Sequence, residues 1–262
     1  MHKRVFIRLL AALSLALATL SPALAQSSVA IVNGASFKPS FPVSPGSWAS
    51  AFGDFASVGI TTETQNGVLP VPTTLGGIQV LVNNVAAPLN YVGPSQINFV
   101  VPAGTAEGKH PLKITVSGLT TFDGFINVWP VSPGIFIKNP ADVLQPGAVL
   151  NQDFSANGPN NPAQRGEVVQ IYGTGGNFAN FPNPSGAAAP GAPNLILTGT
   201  MPKVYVSVAE AGVQFSGLAP GFAALWQINV VVPNQSFISG QVPLFIEAST
   251  LGSNVVSIWV AE

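Results

Sequence analysis

Gln96–Pro102 reads QINFVVP, and Gln227–Pro233 reads QINVVVP, so one stretch of this chain occurs twice. The flanking sequence repeats as well, because Pro111–Ile114 (PLKI) corresponds to Pro243–Ile246 (PLFI). Each copy spans enough chain to form a hydrophobic core of its own. The repeat therefore predicts two copies of one domain in tandem.

The start of the chain has the features of a secretory signal peptide. His2–Arg8 is basic, Leu9–Leu20 is apolar but short for a membrane span, and Ala23–Ala25 is a small-residue cleavage site. We expect cleavage to leave a chain that begins at Gln26. The alternative is that the segment remains uncut as a membrane anchor. Export predicts a location outside the cytoplasm, either secreted, periplasmic or at the cell surface.

Composition limits the chemistry and the partners of this chain. It has no cysteine, which excludes disulfides, thiolate nucleophiles and thiolate metal sites. Three of the nine basic residues lie in His2–Arg8, so the exported part carries six basic and ten acidic residues, a net charge of −4. No basic cluster remains, which argues against nucleic acid and anionic lipid as partners. Only 7% of the residues are charged, and such weak repulsion between molecules favours self-association or adhesion.

Most of the sequence is typical of short β-strands that cover a core. Apolar and polar residues alternate with a period of two, and Gly and Pro cluster between the alternating runs. The inward-facing residues of these runs are Ile78, Val80, Val82, Leu112, Ile114, Val116, Val204, Val206, Val208, Val256, Ile258 and Val260. We predict an all-β fold of two tandem immunoglobulin-like sandwiches. The expected bounds are 1–25 for the signal peptide, 26–133 for the first sandwich, 134–146 for a linker and 147–262 for the second sandwich.

The repeated Gln-Ile-Asn segments fit a structural role better than a functional one. We expect Ile97, Phe99, Ile228 and Val230 to be buried, and the neighbouring amides to satisfy nearby backbone groups. What a duplicated module repeats is usually its fold.

A larger set of motifs resembles a known domain family. In order along the chain they are Asn33–Phe37, Pro45–Ser47, Leu69–Pro70, Thr73–Gly77, Ala87–Leu89, Tyr91–Val92, Ser95–Phe99, Asn161–Ala163, Gly166–Val169, Gly217–Phe222 and Gln227–Asn229. They are similar to a domain found at the C-terminus of many large secreted proteins of acidobacteria. Within each half, the order of motifs also resembles the IPT/TIG branch of immunoglobulin-like domains. The resemblance implies the fold and export. It implies no catalytic residue, because no activity is established for the family.

Catalytic groups are sparse, and we predict neither an enzyme nor a cofactor. After Gln26 the chain has one histidine, His110, which is expected at a strand end, and no Gly-x-Ser-x-Gly motif. A pair of carboxylates could hydrolyse glycosides. The acidic residues considered for such a pair are scattered singly, however, and are Glu63, Glu107, Asp123, Asp153, Glu167, Glu210 and Glu247.

One run has a weak likeness to a calcium loop. Asp153, Ser155 and Asn157 place oxygens at alternate positions before Gly158, but Gln164 stands where a bidentate glutamate is needed. The alternative is a turn in which the short polar side chains bond the backbone and Gly158 takes a positive φ.

The best predicted binding residues come from an insertion in the second copy. Tyr91 and Gln96 are separated by seven fewer residues than Phe215 and Gln227, so the second copy is longer within Gly217–Trp226. The predicted contact residues are Leu218, Phe222, Leu225 and Trp226, with Phe178 and Phe181 from the loop Gly173–Gly199. The alternative is that the insertion covers the junction between the domains and buries these side chains.

Two functions are compatible with this sequence. The first is a non-enzymatic interaction or structural module that docks an envelope or secreted protein through loops and strand edges. The second is a carbohydrate-binding module, in which Trp226, Phe222, Phe178 or Tyr205 would stack on a polysaccharide.

Overall fold

The computed structural model describes residues 29–39, 41–139, 141–178, 181 and 185–262. The predicted signal peptide lies outside these residues. The described backbone consists of strands and connections, with one 3-10 turn at Ala56–Val58. No helix in the described part is long and apolar enough to cross a membrane. The prediction of an all-β fold is confirmed.

The first sandwich consists of two antiparallel sheets. Its strands are β1 (Ala30–Asn33), β2 (Trp48–Phe52), β3 (Thr64–Gln65), β4 (Ile78–Val82), β5 (Val85–Ala87), β6 (Leu89–Val92), β7 (Gln96–Val100), β8 (Gly108–Val116) and β9 (Leu119–Val128). One sheet has the order β1-β2-β7-β6-β3, and the other has the order β5-β4-β8-β9. The core lies between them, where the rings of Phe55 and Phe122 meet edge to face at 5.1 Å.

The second sandwich contains the remaining strands. They are β10 (Gly134–Ile135), β11 (Val149–Leu150), β12 (Val168–Thr174), β13 (Lys203–Val206), β14 (Ala209–Leu218), β15 (Trp226–Val231), β16 (Gly240–Ala248), β17 (Leu251–Gly252) and β18 (Val256–Val260). Hydrogen bonds connect them in the order β10-β12-β15-β14-β13-β16-β17, with β11 beside β12 and β18 beside β16. A separate core cluster fills this sandwich, and the largest buried side chain in it is Trp226.

A single proline distinguishes how the two sandwiches connect their layers. In the second, β14 pairs with β13 through Ala209–Ala211 and with β15 through Gly212–Leu218, so one strand serves both layers. In the first, β5 pairs with β4 and β6 pairs with β7, and Pro88 separates them. Proline has no backbone N–H to donate, so Pro88 contributes only its carbonyl, which accepts from the N–H of Val100 on β7 at 2.8 Å.

The two Gln-Ile-Asn segments occupy matching places in their sheets. Ile97 on β7 lies opposite Ala51 on β2, and Ile228 on β15 lies opposite Ile171 on β12. As predicted, Ile97, Phe99, Ile228 and Val230 are fully buried.

The prediction for the amides of these segments was wrong. Gln96 Nε2 donates to Asn98 Oδ1 at 2.7 Å, and Gln227 Nε2 donates to Asn229 Oδ1 at 2.9 Å. The amides pair with each other because residues two apart on a strand share one face of the sheet.

Both ends of the segment 134–146, predicted as a linker, contribute to the second sandwich. Gly134–Ile135 forms β10 beside β12. Further along, the backbone N–H of Ser257 on β18 donates to the carbonyl of Gln145 at 3.0 Å, and the N–H of Gly147 donates to the carbonyl of Ser257 at 3.0 Å. The sequence-based domain bounds themselves stay a prediction.

Candidate functional site

The predicted insertion is a loop of residues 219–225, between β14 and β15. The corresponding connection in the first sandwich is residues 93–95. Hydrogen bonds to other segments hold the loop in place. The N–H of Ala189 donates to the carbonyl of Phe222 at 2.8 Å, and the indole N–H of Trp48 on β2 donates to the carbonyl of Ala223 at 3.2 Å. The loop therefore lies across the junction between the sandwiches, but it does not bury all the predicted side chains as that alternative required, since Phe222 stays 57% exposed.

Leu218 and Trp226 are core residues and not surface residues, which corrects their prediction as contact residues. Each is 1% exposed. The Trp226 indole donates to Ser216 Oγ at 2.9 Å, and its ring meets Phe178 edge to face with 6.3 Å between centroids. Trp226 cannot stack on a sugar, since both faces of its ring are enclosed by protein.

Phe178 and Phe181 lie at the junction of the two sandwiches. Their ring centroids are 6.0 Å apart, and the ring of Phe181 covers Gly46 in the first sandwich. Gly46 has a φ of +70°, and a Cβ there would lie 2.4 Å from the ring. Only glycine combines this backbone conformation with so close an approach. These two phenylalanines thus pack at the junction, where both are half-buried and line a smaller cavity of about 250 Å³.

Direct hydrogen bonds also join the two sandwiches. The N–H of Trp48, at the start of β2, donates to Thr174 Oγ1 at the end of β12 at 2.8 Å. The N–H of Val71 donates to the carbonyl of Gly186 at 2.8 Å. These bonds satisfy backbone groups that would otherwise be buried without a partner, so they fix the relative position of the two chain segments.

A groove of about 510 Å³ opens beside this junction, and we call it the junction groove. Its floor is the outer face of β2, β6 and β7, with the side chains of Trp48, Ser50, Asn90 and Asn98. One wall is the loop Asn66–Val71 of the first sandwich. The other wall comes from the second sandwich and consists of Phe136, Phe222, Ala223 and Leu225. The volume lies in the range of ligand sites in proteins, about 300–1,000 Å³.

The rim of the junction groove is apolar and exposed. Phe222 is 57% exposed, Val68 65% and Leu69 48%, whereas Leu225 is half-buried. Of the predicted contact residues, Phe222 and Leu225 therefore line an open surface.

The floor of the junction groove is polar. Asn98 Oδ1 accepts hydrogen bonds from Ser50 Oγ at 2.8 Å and from Gln96 Nε2 at 2.7 Å. These two donors fix the orientation of the Asn98 amide, because its oxygen must face them. Among the described residues, neither the Asn98 amide nitrogen nor the Asn90 side chain has a hydrogen-bond partner.

Sequence reasoning missed Trp48, Asn90 and Asn98. A signal for Trp48 was present, since Ala49 and Ala51 point into the core and Trp48 must then point outward. A large aromatic residue on an outer face indicates that something packs there.

The side chains of the weak calcium candidate, Asp153, Ser155 and Asn157, make hydrogen bonds within the protein. The hydroxyl and the N–H of Ser155 donate to Asp153 Oδ1 and hold the pKa of that carboxyl below its usual value. Asn157 is buried, with Oδ1 accepting from the N–H of Trp259 and Nδ2 donating to the carbonyl of Trp259, both at 2.8 Å. This is the predicted turn, except that Phe154 and not Gly158 takes the positive φ, at 65°.

The remaining predicted residues lie apart from the groove. Tyr205 stacks on Phe245 of the neighbouring strand, with ring centroids 4.9 Å apart and planes 15° apart. His110 lies near the start of β8, with Nε2 2.7 Å from the carbonyl oxygen of Ala106. In the described part of the chain, no group of three or more His, Cys, Asp or Glu side chains could hold a metal ion.

A family comparison agrees with the immunoglobulin-like architecture of the first sandwich. The IPT/TIG domain matches residues 31–127, from β1 to the end of β9. This supports an immunoglobulin-like family for that part of the chain. No match was found among curated proteins.

Several solved structures share a general likeness. One is the SGBP-B protein of the Bacteroides ovatus mixed-linkage glucan utilization locus, in complex with a mixed-linkage heptasaccharide (12% identity, 84% of this chain and 42% of that chain, TM-score 0.33). Another is surface layer protein SbsC, domains 4–9 (14% identity, 89% of this chain and 31% of that chain, TM-score 0.27). A third is bovine butyrophilin (8% identity, 89% of this chain and 99% of that chain, TM-score 0.24). This chain spans less than half of the first two, and likenesses at these TM-scores carry no functional inference.

Proposed function

We propose that this chain is an exported, non-enzymatic interaction module that holds its partner in the junction groove. The observation that carries the proposal is the groove itself, a concave surface with an exposed apolar rim and unpartnered amides on its floor. Convergent polar groups inside an apolar concavity are the usual form of a binding site.

The lining of the groove supports binding without catalysis. Every residue that lines it is uncharged, so none can exchange a proton near neutral pH. Ser50 carries the hydroxyl group of the groove lining and could in principle act as a nucleophile. Its hydroxyl donates to the Asn98 amide oxygen, however, and an amide is not a base that could activate it.

The first candidate partner is a protein of the envelope or the secretome. Phe222, Val68 and Leu69 support this, since exposed apolar side chains at a rim commonly anchor protein contacts. The outer edge of β18 offers no support for docking through strand edges, because it is covered. There the N–H of Ala163 donates to the carbonyl of Trp259 at 2.9 Å.

The second candidate partner is a polysaccharide. It is supported by the exposed ring of Phe222 in the same groove as the Asn90 and Asn98 amides. An aromatic face beside hydrogen-bonding amides suits a ligand that has both apolar faces and hydroxyl groups.

The finer predictions about origin and organisation are part of the same proposal. We infer that the two sandwiches are copies of one domain, with bounds near 26–133 and 147–262, of the kind found in the acidobacterial secreted proteins. The matching positions of Ile97 and Ile228 support this. Location at the cell surface, in the periplasm or in the medium, and self-association favoured by the low charge, belong to it as well.

The test is capture of a partner by the chain from Gln26 onward. The chain is immobilised, envelope and secretome extract is passed over it, and the eluate is analysed for protein and glycan. Phe222→Ala should abolish specific retention. Phe237→Ala is the matched control, because Phe237 is 58% exposed and lies outside the groove. Equal retention by the wild type and Phe222→Ala would refute the groove as the binding site.

A further inference from the structure

We propose that the junction groove binds an uncharged polysaccharide whose sugar rings carry mostly equatorial hydroxyls, as β-linked glucose chains do. The inference rests on the proposed function, and it names the ligand class of that same site. In this arrangement a sugar face packs on Phe222, and the ring hydroxyls bond the amides of Asn90 and Asn98.

The charge of the groove selects against ionic ligands. No Asp, Glu, Lys, Arg or His lines it. A phosphate, a uronate or a basic peptide would lose its hydration on entry, and no opposite charge would compensate for the loss. The ligand that fits is therefore neutral.

The backbone of the groove floor selects against an extended peptide. Such a peptide gains much of its affinity by pairing its main chain with a free strand edge. Here the floor is the face of a sheet, where β2 pairs with β7 at Ser50–Asn98 and β7 pairs with β6 at Asn98–Tyr91. The main-chain groups are already used within the sheet, so the floor offers side-chain amides only.

The free hydrogen-bonding groups match sugar hydroxyls. Asn98 presents an amide N–H group that no described residue accepts, because its oxygen already accepts from Ser50 and Gln96. Asn90 presents a whole amide, which can donate and accept. A hydroxyl also does both, so neighbouring hydroxyls of one sugar can satisfy these two side chains.

The aromatic wall supplies the apolar contact. The backbone of Phe222 is held on both sides, since its carbonyl accepts from Ala189 and its N–H donates to the carbonyl of Ala219 at 3.2 Å. The ring nevertheless stays 57% exposed. A pyranose with equatorial hydroxyls has two C–H faces, and such a face packs on an aromatic ring while the hydroxyls at its edge reach polar groups.

The experiment is isothermal titration calorimetry of the chain from Gln26 onward with four defined probes. Cellohexaose and laminarihexaose are the neutral β-linked probes, maltohexaose has axial linkages, and oligogalacturonate is anionic. We expect saturable binding of at least one β-linked probe with a Kd below about 1 mM. Maltohexaose should bind more weakly, and oligogalacturonate should show no binding.

Two pairs of variants locate the site. Phe222→Ala should weaken binding about tenfold or more, while Phe237→Ala should leave it unchanged. Asn98→Ala should weaken binding about fivefold or more, while Asn229→Ala should not, although both lose the same amide pair with the preceding glutamine. Equal losses within either pair would show that folding and not the groove is affected, and would overturn the assignment.

The possible outcomes test the ligand class and the binding site separately. If neither β-linked probe binds but a purified protein partner binds in a Phe222-dependent way, the glycan assignment is wrong and the groove remains the binding site. If oligogalacturonate binds as well as cellohexaose, the argument from charge is wrong. If no probe binds and no Phe222-dependent partner is captured, both this inference and the proposed function fail.

Discussion

A contact between Gly147 and Val256 allows a quantitative test of how the sandwiches are built. A Cβ on Gly147 would lie 2.7 Å from Cγ2 of Val256. The first sandwich has the same contact with the residues exchanged, since a Cβ on Gly124 would lie 3.2 Å from Cγ2 of Val29. The strand registers make these positions equivalent. Val256 corresponds to Gly124, because each lies opposite the leucine of the repeated Pro-Leu segment, Leu244 or Leu112. Gly147 corresponds to Val29, because each lies two residues before a strand residue, Val149 or Ile31, that pairs with the matching positions Ile171 and Ala51.

The perturbation is Gly147→Val, alone and together with Val256→Gly. The single change adds the three side-chain carbons of valine at a position whose Cβ would already lie 2.7 Å from Cγ2 of Val256. Overpacking of this kind costs about 1–3 kcal/mol. Val256→Gly alone removes a side chain that is 2% exposed and costs about 2–4 kcal/mol from lost burial and the added chain entropy. In the double variant the removed side chain makes room for the new one. Its loss of stability should therefore be about 1–3 kcal/mol smaller than the sum of the two single losses.

The assay is denaturant-induced unfolding of the wild type, both single variants and the double variant. Tryptophan fluorescence follows unfolding of the whole chain, because Trp48 lies in the first sandwich and Trp226 and Trp259 lie in the second. The cycle Val29→Gly with Gly124→Val should show smaller coupling, because the distance there is longer. If the losses at Gly147 and Val256 add within about 0.5 kcal/mol, the two side chains do not compete for one space and the reasoning is refuted.

Three further predictions test other parts of the structure. Trp226→Phe loses the hydrogen bond to Ser216 and some volume, so unfolding should require about 1–3 kcal/mol less, and an unchanged midpoint would argue against burial of the indole. Gly46→Ala forces a φ of +70° on alanine and meets an aromatic ring of the second sandwich, so protease should cut the junction faster than in the wild type, and equal cutting rates would contradict that packing. The pKa of Asp153 is lowered by Ser155, so its contribution to stability is present above the unfolded value of about 3.8 and is lost as pH falls through the folded value. In Asp153→Asn this loss of stability at low pH should be absent. If the pKa of Asp153 measured by NMR is the same in Ser155→Ala as in the wild type, the hydrogen bond from the Ser155 hydroxyl is not the cause of the lowered pKa.

The alternation of apolar residues predicted most of the strands and the core, but it was wrong for Val208, which is 82% exposed in the turn between β13 and β14. Ile78, Val80 and Val82 face inward as the period of two requires, and so do Ile228 and Val230. The same rule could have placed Trp226 in the core, because it is in phase with Ile228 and Val230 on one strand. Assigning Trp226 to a loop was an error of boundary, and strand ends are where a sequence pattern is weakest.

The junction groove could not be predicted from the alternation. Asn90 and Asn98 face outward, where solvent is the usual neighbour of a polar side chain. Their importance comes from Phe222, which is distant in sequence and reaches the same face only because the insertion folds across the junction. A period along one strand carries no information about which outer face a second domain will cover. The insertion signalled that the second sandwich differs from the first, but not the place where it packs.

The division of the groove between the two sandwiches has a mechanical consequence. An occupant that touches Asn98 and Phe222 bridges both sandwiches, so its binding free energy also resists their separation. At a concentration one hundred times the Kd this resistance amounts to about 2.7 kcal/mol. A filled groove would therefore stiffen the chain against tension, and tension that parts the sandwiches would release the occupant.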